Sequence, residues 1–563
     1  MAETLSSQLK LRMKALEQEK EYYDDRNDDI GRLVNPRREL IRDSQRFDDR
    51  GKARGKQAYS GVPNSALSVW VDGMQGHLVS QSLKWFKNIT SSPALNRVDE
   101  VQKYLQEYDE AMYGEYNRSN FYAILGEWFR DAGSIGTATL FTEEDIGRGV
   151  AVHIPIHPRE VFISEDRYGN VDTVFRKFFL TAKQAVQKFG TEKLSKDIID
   201  NSEKQPEKKH QFIHAVFPNT DRMFGSLLSI HKPVASVYMQ EKGNLPDDDI
   251  VKQSGFDMNP YAVWRFRKNS DEIYGYSPAA DAMVEIKKAH QMSKTLLKAA
   301  HIAASPAYNV PEHMRGNTRI EPDGHNYFEK GGDKISVVQT GINYPIAIDR
   351  EEKIQRLIED AYRVEFFLIL ARAEREMTAT EIQARANEKS VLLGPQQDRL
   401  YSEGLVPANE NVHAIADLAG RLPEPPQILI DAAEEAKSRG LPQIRLNLQL
   451  IGPLAQARKN QTDMMPIRNG LNELAQASAV FPKVLDRVDP DKLAERILDS
   501  TNFPQDVMRT DQELQDLRDQ QELELQQAQQ QQQLQAMADS VPKLQKKTEQ
   551  GSPMEAMEAS IGA

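Results

Sequence analysis

Lys287, His290, Lys294, Lys298 and His301 recur at intervals of three, four, four and three residues. On an α-helix that spacing puts all five side chains on one face. A row of cations can touch phosphate oxygens, and separated points of charge hold a polyanion without fixing it in one place. On an isolated helix the same row is an ordinary solvated face, because charges collect opposite the side that packs. Met283, Ile286, Met292, Leu296 and Leu297 supply such a packing side. In a ring of copies, the row becomes stacked rings of positive charge around a pore.

No other constellation has comparable order. Asp247-Asp248-Asp249 reads as a solvated acidic loop, and the 11 histidines are scattered, with no metal site assigned to His153 and His157. There is no phosphate-binding loop ending in Gly-Lys-Ser or Gly-Lys-Thr, no His-Glu-x-x-His, no Gly-x-Ser-x-Gly and no Gly-x-Gly-x-x-Gly, so nothing points to a P-loop motor or a hydrolase. No cofactor is expected. The absence of cysteine excludes disulfides and thiolate metal centres, and fits a reducing compartment. Met1-Ala-Glu-Thr lacks the basic-then-apolar pattern of a secretion signal, and no apolar run reaches the roughly 18–20 residues of a membrane span. A cytoplasmic or virion-associated protein is expected, with no membrane partner. Lys and Arg number 72 against 84 Asp and Glu, a formal charge of −12. A net-negative chain is poorly suited to coating DNA, whose sequence-independent grip comes from neutralised phosphates. It suits a surface past which DNA slides.

The elements that must position the basic row follow from periodicity and breakers. Residues 4–33 read as a polar helix anchored by Leu9, Leu16, Ile30 and Leu33. Helices are expected from Ala66 to Leu83, at about 98–117 and at 120–133. From Thr137 the period falls to two, giving strands at 138–141, 150–156, 160–164 and 171–180. Thr181 to Gly190 is a short helix with a Thr cap and a Gly stop, and further strands fall at 211–217, 235–240 and 261–268. Residues 1–276 thus form a mixed α+β body. Pro278 then opens a stretch with no breaker before Pro306, about 40 Å of helix at 1.5 Å per residue. A second breaker-free helix runs from Asp349 to Leu370, about 33 Å long. Between them lies a Gly/Pro-rich insert with a strand-like segment at Lys334–Val338. Two long helices closing on a compact insert make a hairpin projecting from the body.

The second helix mixes Arg350, Glu351, Glu352, Lys353, Arg356 and Glu359 with an apolar seam of Leu357, Ile358, Tyr362 and Phe366. Mixed charge of this kind suits packing between subunits. Thr378 or Thr380 then caps another helix, with Glu381 completing a capping box, and Gly394-Pro395 stops or kinks it. The helical pattern resumes to about Arg421, Arg445 to Ile451 alternates like a strand, and 453–510 reads as shorter helices. Residues 511–549 are Gln-rich, either a polar helix or disordered, and the last residues from Gly551 are expected to be flexible.

In this order and spacing, several local patterns resemble the portal (head-to-tail connector) proteins of short-tailed bacteriophages. They are Asn35-Pro-Arg-Arg, Trp85-Phe86, Asn120-Phe-Tyr, Asp131-Ala-Gly-Ser-Ile-Gly-Thr, Tyr274-Gly-Tyr-Ser-Pro and Met377-Thr-Ala-Thr-Glu with Leu393-Gly-Pro. The resemblance covers roughly residues 30–455 and fades after 500. It implies a predominantly helical α+β portal fold assembling as a homo-oligomeric ring, usually a dodecamer, at one capsid vertex of the virion, assembled in the host cytoplasm. The parts it implies are a wing body at 1–277, stem helices at 278–305 and 348–370, and a clip at 306–347. They continue with a tunnel loop at 371–377, a wing helix and return strand at 378–455, a crown at 456–510 and a tail at 511–563, the last a helical extension or disordered. Double-stranded DNA would pass through the channel during packaging and ejection, while a separate terminase large subunit hydrolyses ATP. Capsid, scaffolding and tail adaptor proteins would be the other partners. Lys287, Lys294, Lys298, Arg372 and Arg375 become the candidate DNA-proximal cations. The rival readings are another virion component, such as a tail adaptor or internal scaffold, and a metal-dependent phosphoryl-transfer or nuclease enzyme. The long hairpin argues against a small adaptor, the large body against a scaffold, and no carboxylate cluster supports the enzyme.

Overall fold

A computed structural model describes residues 4–39, 55–223, 226, 228–241, 249–316, 318–320, 325–328, 331–338, 344–372, 394–440, 444–452, 464–478, 481–501, 509 and 511–545. Helix α1 (Leu5–Leu33) is capped by Thr4, whose hydroxyl accepts from the Ser7 N–H. Helix α2 (Val62–Leu78) opens with Pro63 in its first turn and ends five residues before the expected Leu83, because the chain must extend into strand β1 (Phe86–Thr90). Helices α3 (Asp99–Arg118) and α4 (Phe121–Ser134) follow, both amphipathic.

Strands β2 (Thr137–Asp145) and β3 (Val150–Ile156) form a sheet with β9 (Tyr261–Arg265), in the antiparallel order β3-β2-β9. Between them in sequence lies a five-stranded antiparallel meander. Its strands are β4 (Val161–Glu165), β5 (Val171–Thr181), β6 (Lys209–Pro218), β7 (Val234–Gln240) and β8 (Ile250–Phe256). Alternation along these strands sorts side chains to two faces. Phe175, Ile213, Ala215, Val237 and Met239 pack under Leu9, Met13 and Leu16 of α1. On the other face Phe178, Phe212, Tyr238 and Val251 meet α5 (Ala182–Phe189) and α6 (Lys196–Lys204). The capping box of α5 is complete: Thr181 and Gln184 each accept from the other's backbone N–H, and Gly190 ends the helix at φ +74°. Sequence reading passed over β8 and α6. β8 is an edge strand with only Val251 buried, and α6 buries only Ile198 and Asn201, so neither carries a clear hydrophobic period.

Two of the expected long helices are broken. The first is divided into α7 (Pro278–Asp281) and α8 (Met283–Ala304), because Ala282 leaves helical geometry at ψ 9°. The uninterrupted part, 22 residues, is about 33 Å long rather than 40. The second begins earlier than Asp349, at Tyr344, and divides into α9 (Tyr344–Ala361) and α10 (Val364–Arg372). Arg363, at φ +55°, makes that corner. In the intervening insert, β10 (Tyr308–Asn309) pairs with β11 (Ser336–Val337), within the segment expected to be a strand.

The chain is helical again from Gly394: α11 (Gly394–Arg399), a π-helical turn at Leu400–Leu405, then α12 (Val406–Leu418). Pro407 has no N–H to give the carbonyl four residues back, and the wider π turn just before it accommodates that loss. After α13 (Gln427–Ser438) comes β12 (Leu446–Leu450), where alternation predicted a strand, paired antiparallel with β1. Helices α14 (Met465–Ser478), α15 (Pro490–Thr501) and the 35-residue α16 (Asp511–Gln545) complete the described chain. Of the two expectations for the Gln-rich tail, helix holds for 511–545. Leu523 and Leu525 are exposed on it, and Arg518 forms a two-pronged ion pair with Asp491. The expected Thr378 cap and tunnel loop residues 373–377 lie outside the described residues.

Candidate functional site

Three of the sequence patterns singled out above meet at the root of the hairpin. Arg38, from Asn35-Pro-Arg-Arg, grips both oxygens of Asp131 at 2.6 and 2.8 Å, and Asn35 donates to Ser134 Oγ at 3.2 Å. Burial raises the Asp131 carboxyl to about 6, partly offset by the guanidinium. Gly136 sits at φ +96° against Gly275 of Tyr274-Gly-Tyr-Ser-Pro. A Cβ there would come within 2.8 Å of the Gly275 backbone, so only glycine fits. The Gly275 N–H donates to Thr137 Oγ1 at 2.7 Å, and Ser277 caps α7. Behind this knot Trp128, Phe129 and Trp264 are fully buried. These patterns build the socket from which α8 and α9 emerge, and none of them supplies a nucleophile or general base aimed into a cleft.

The basic row on α8 is not uniform. His290 is buried: its Nδ1 accepts from the Tyr59 and Ser60 N–H groups at 3.0 and 3.1 Å, and its Nε2–H donates to the Leu33 carbonyl at 2.9 Å. Burial holds its pKa below the usual histidine value, so it is a neutral clamp between α1 and α8 rather than a pore cation. Lys287 pairs with Asp29 of α1 at 2.7 Å, and the Lys294 ammonium lies 4.9 Å from the Tyr59 ring centre. Lys287 is exposed but paired, Lys294 is half-buried, and Lys298 and His301 at the far end of α8 stand exposed. Equal helical spacing concealed this difference, because it is made by Asp29, Leu33 and Tyr59, which lie far from the row in sequence. Arg372 is the last residue of α10, and Arg375 lies outside the described residues.

Sequence reading missed a second arrangement, which needs two helices in register. Lys287, Lys288, Gln291, Met292 and Thr295 of α8 face Arg350, Lys353 and Ile354 of α9 across an open groove of about 630 Å³. Ser293 donates to Glu351 at 2.7 Å and ties the helices together. Lys288 and Lys353 each have a carboxylate on their own helix, Glu285 at 3.4 Å and Asp349 at 2.9 Å. Exposed pairs of this kind are worth little and yield readily to a competing anion. Leu297 and Leu357, expected to pack, are instead about half exposed.

Of the residues weighed for metal chemistry, His153, His157 and Asp249 have structural roles, and Asp247 and Asp248 lie outside the described residues. His153 Nδ1 bonds Thr142 Oγ1 at 3.0 Å, His157 caps the turn at Pro158, and Asp249 pairs with Lys10. Among the described residues no group of three or more His, Asp or Glu is placed to hold a metal ion, and no helix is long and apolar enough to cross a membrane. The arrangement as a whole offers a row and a groove of cations on an exposed two-helix arm, a surface for anions.

Residues 6–508 match the family model described as bacteriophage head to tail connecting protein. The chain is 27% identical over 505 residues to the portal protein of Salmonella phage epsilon15, spanning 86% of this chain and 89% of the relative. It is 26% identical over 465 residues to the probable portal protein of Bordetella phage BPP-1, spanning 80% of each.

Proposed function

The chain belongs to the bacteriophage head-to-tail connecting protein family, and from that premise we propose how its hairpin is used. It is a portal subunit, a structural component of the virion. Copies form the ring at one capsid vertex through which double-stranded DNA is packaged and ejected, and on which the packaging motor and tail dock. The observation that carries this reading is the family match across residues 6–508, which takes in the body, the hairpin and the helices beyond α12.

In finer detail, α8 and α9 are the stem, the insert between them is the clip, and α14 and α15 belong to the crown. The ring holds about a dozen copies, closed by one repeated contact as cyclic symmetry requires. A terminase large subunit supplies ATP hydrolysis, and capsid, scaffolding and tail adaptor proteins are the remaining partners. Lys298, exposed beyond the body, is the candidate DNA-facing cation with the best support. Lys287 and Lys294 are secondary, since Asp29 and Tyr59 already engage them. Arg372 and Arg375 remain candidates by position.

Native mass spectrometry with negative-stain imaging of the purified protein tests the ring. The expected result is a closed assembly of about a dozen copies with a central hole. A chain that stays monomeric even with its scaffolding protein present would overturn the reading. The adaptor alternative would then regain its place.

A further inference from the structure

From Ile346 to Arg372 the sequence contains neither Gly nor Pro, and helix propensity asks for a single unbroken helix. The chain nevertheless turns at Arg363, whose φ of +55° lies in the left-handed region that L side chains disfavour. No other non-glycine among the described residues has a positive φ. Since no local breaker makes this corner, tertiary contacts must hold it. Tyr362, fully buried, donates its hydroxyl to the Gly133 carbonyl at 3.2 Å, inside the knot at the hairpin root. One turn on, the Phe367 ring lies against Gly73 of α2 so closely that a Cβ there would fall 2.2 Å from it. On the other side of α9, Leu357 is 54% exposed. In an unbroken helix Leu357, Ala361, Val364 and Leu368, at intervals of four, three and four, would share one side. The corner divides that stripe between α9 and α10, and straightening makes it continuous.

We propose that the α9–α10 corner is a two-state joint. In the bent state, the one described here, Tyr362 and Phe367 latch α10 to Gly133 and Gly73. In the straight state residues 344–372 form one helix, Arg363 returns to the right-handed region, and α10 leaves α2. The bent state gains burial of Phe366 and Phe367 and one buried hydrogen bond, and the straight state gains an unstrained backbone ladder. Because α9 is one arm of the hairpin, the joint couples a pull on that arm to release of α10 from the body. The joint belongs to a single chain, so it stands or falls independently of ring formation.

The chain has no cysteine, so spin labels on Asp72→Cys and Glu365→Cys report the α2–α10 separation in the full-length protein without background thiols. Both positions are exposed. The parent protein should give one dominant short distance. Adding Gly73→Ala and Tyr362→Phe should raise a second, longer distance at least several-fold, with helical content by circular dichroism unchanged or higher. Adding Arg363→Gly to that variant, which makes the left-handed corner easy, should return the population to the short distance. Loss of helical content, an unchanged distance, or no reversal by Arg363→Gly would overturn the joint. Should the latch variant fail to fold, hydrogen exchange at residues 358–367 in Arg363→Gly alone decides it. Exchange several-fold slower than in the parent supports the joint, and equal or faster exchange overturns it.

Discussion

Around Trp128 and Trp264 in the body, two indole rings meet edge to face 5.4 Å apart with no exposed surface. Along α8 and α9, by contrast, Val284, Leu297 and Leu357 are each more than half exposed. Charges follow the same division. In the body, Arg265 is 1% exposed and is held by Glu403, Glu165 and the carbonyls of Gly169 and Ile273. On the hairpin, Lys353 and Asp349 form a solvent-facing pair within one helix. A buried charge that loses its partner is expensive, whereas an exposed pair contributes almost nothing measurable. The body therefore buries these rings and pairs this charge within one chain, although the Trp128 and Trp264 indole nitrogens find no partner among the described residues, and the hairpin leaves both apolar and charged surface exposed.

Substitutions can break that contrast or sharpen it. The largest effect should come from Arg265→Ala, which removes a buried guanidinium shared by Glu403 and Glu165 and leaves them only Arg399 and Lys268, at a cost of about 3 kcal/mol. Urea unfolding of the full chain measures it, and a loss below about 1 kcal/mol would mean that water already reaches the site. Gly136→Ala should follow at about 1–3 kcal/mol, from a side chain forced to positive φ against the Gly275 backbone, read as a lowered Tm.

A smaller, pH-dependent effect belongs to Asp109 in α3, whose carboxylate accepts from the backbone and side-chain nitrogens of Asn88. Burial raises its pKa from 3.8 to about 7. Between those values the folded state holds a proton that the unfolded state has lost, so its contribution to stability falls as pH rises through that window. Asp109→Asn should flatten the stability profile there, and an unaltered slope would assign the effect elsewhere. Smallest on stability should be Lys298→Gln on the hairpin, within about 0.5 kcal/mol of the parent. If the hairpin faces DNA, the same substitution should lower the DNA packaged or retained per particle. An equal loss of stability and packaging would erase the distinction between the two regions.

How far each region was legible in the sequence also differs. In the body, alternation gave β5, β6, β7 and β12, and the Thr181 and Gly190 signals bounded α5, because those elements are decided by local period and local capping. The edge strand β8 escaped because one buried residue makes no period. On the hairpin, spacing found the basic row but could not tell that His290 faces Tyr59 and Leu33 while Lys298 faces solvent. Nor could composition show the corner at Arg363, since the notch that receives Phe367 is made by Gly73, nearly three hundred residues earlier. The groove shared by Lys287 and Arg350 was likewise a property of two helices in register.

The pairing of β1 with β12 has a consequence for the order in which a subunit is made. Phe86 finds its partner only when Leu450 has been synthesised, after the whole hairpin has left the ribosome. Tyr116, whose hydroxyl bonds Asn409, and Glu115, gripped by Arg421, wait almost as long. The early half can form its five-stranded meander as it emerges, because neighbouring strands follow one another in the chain. The part of the body around β1 and α3 cannot set until after the hairpin has been made.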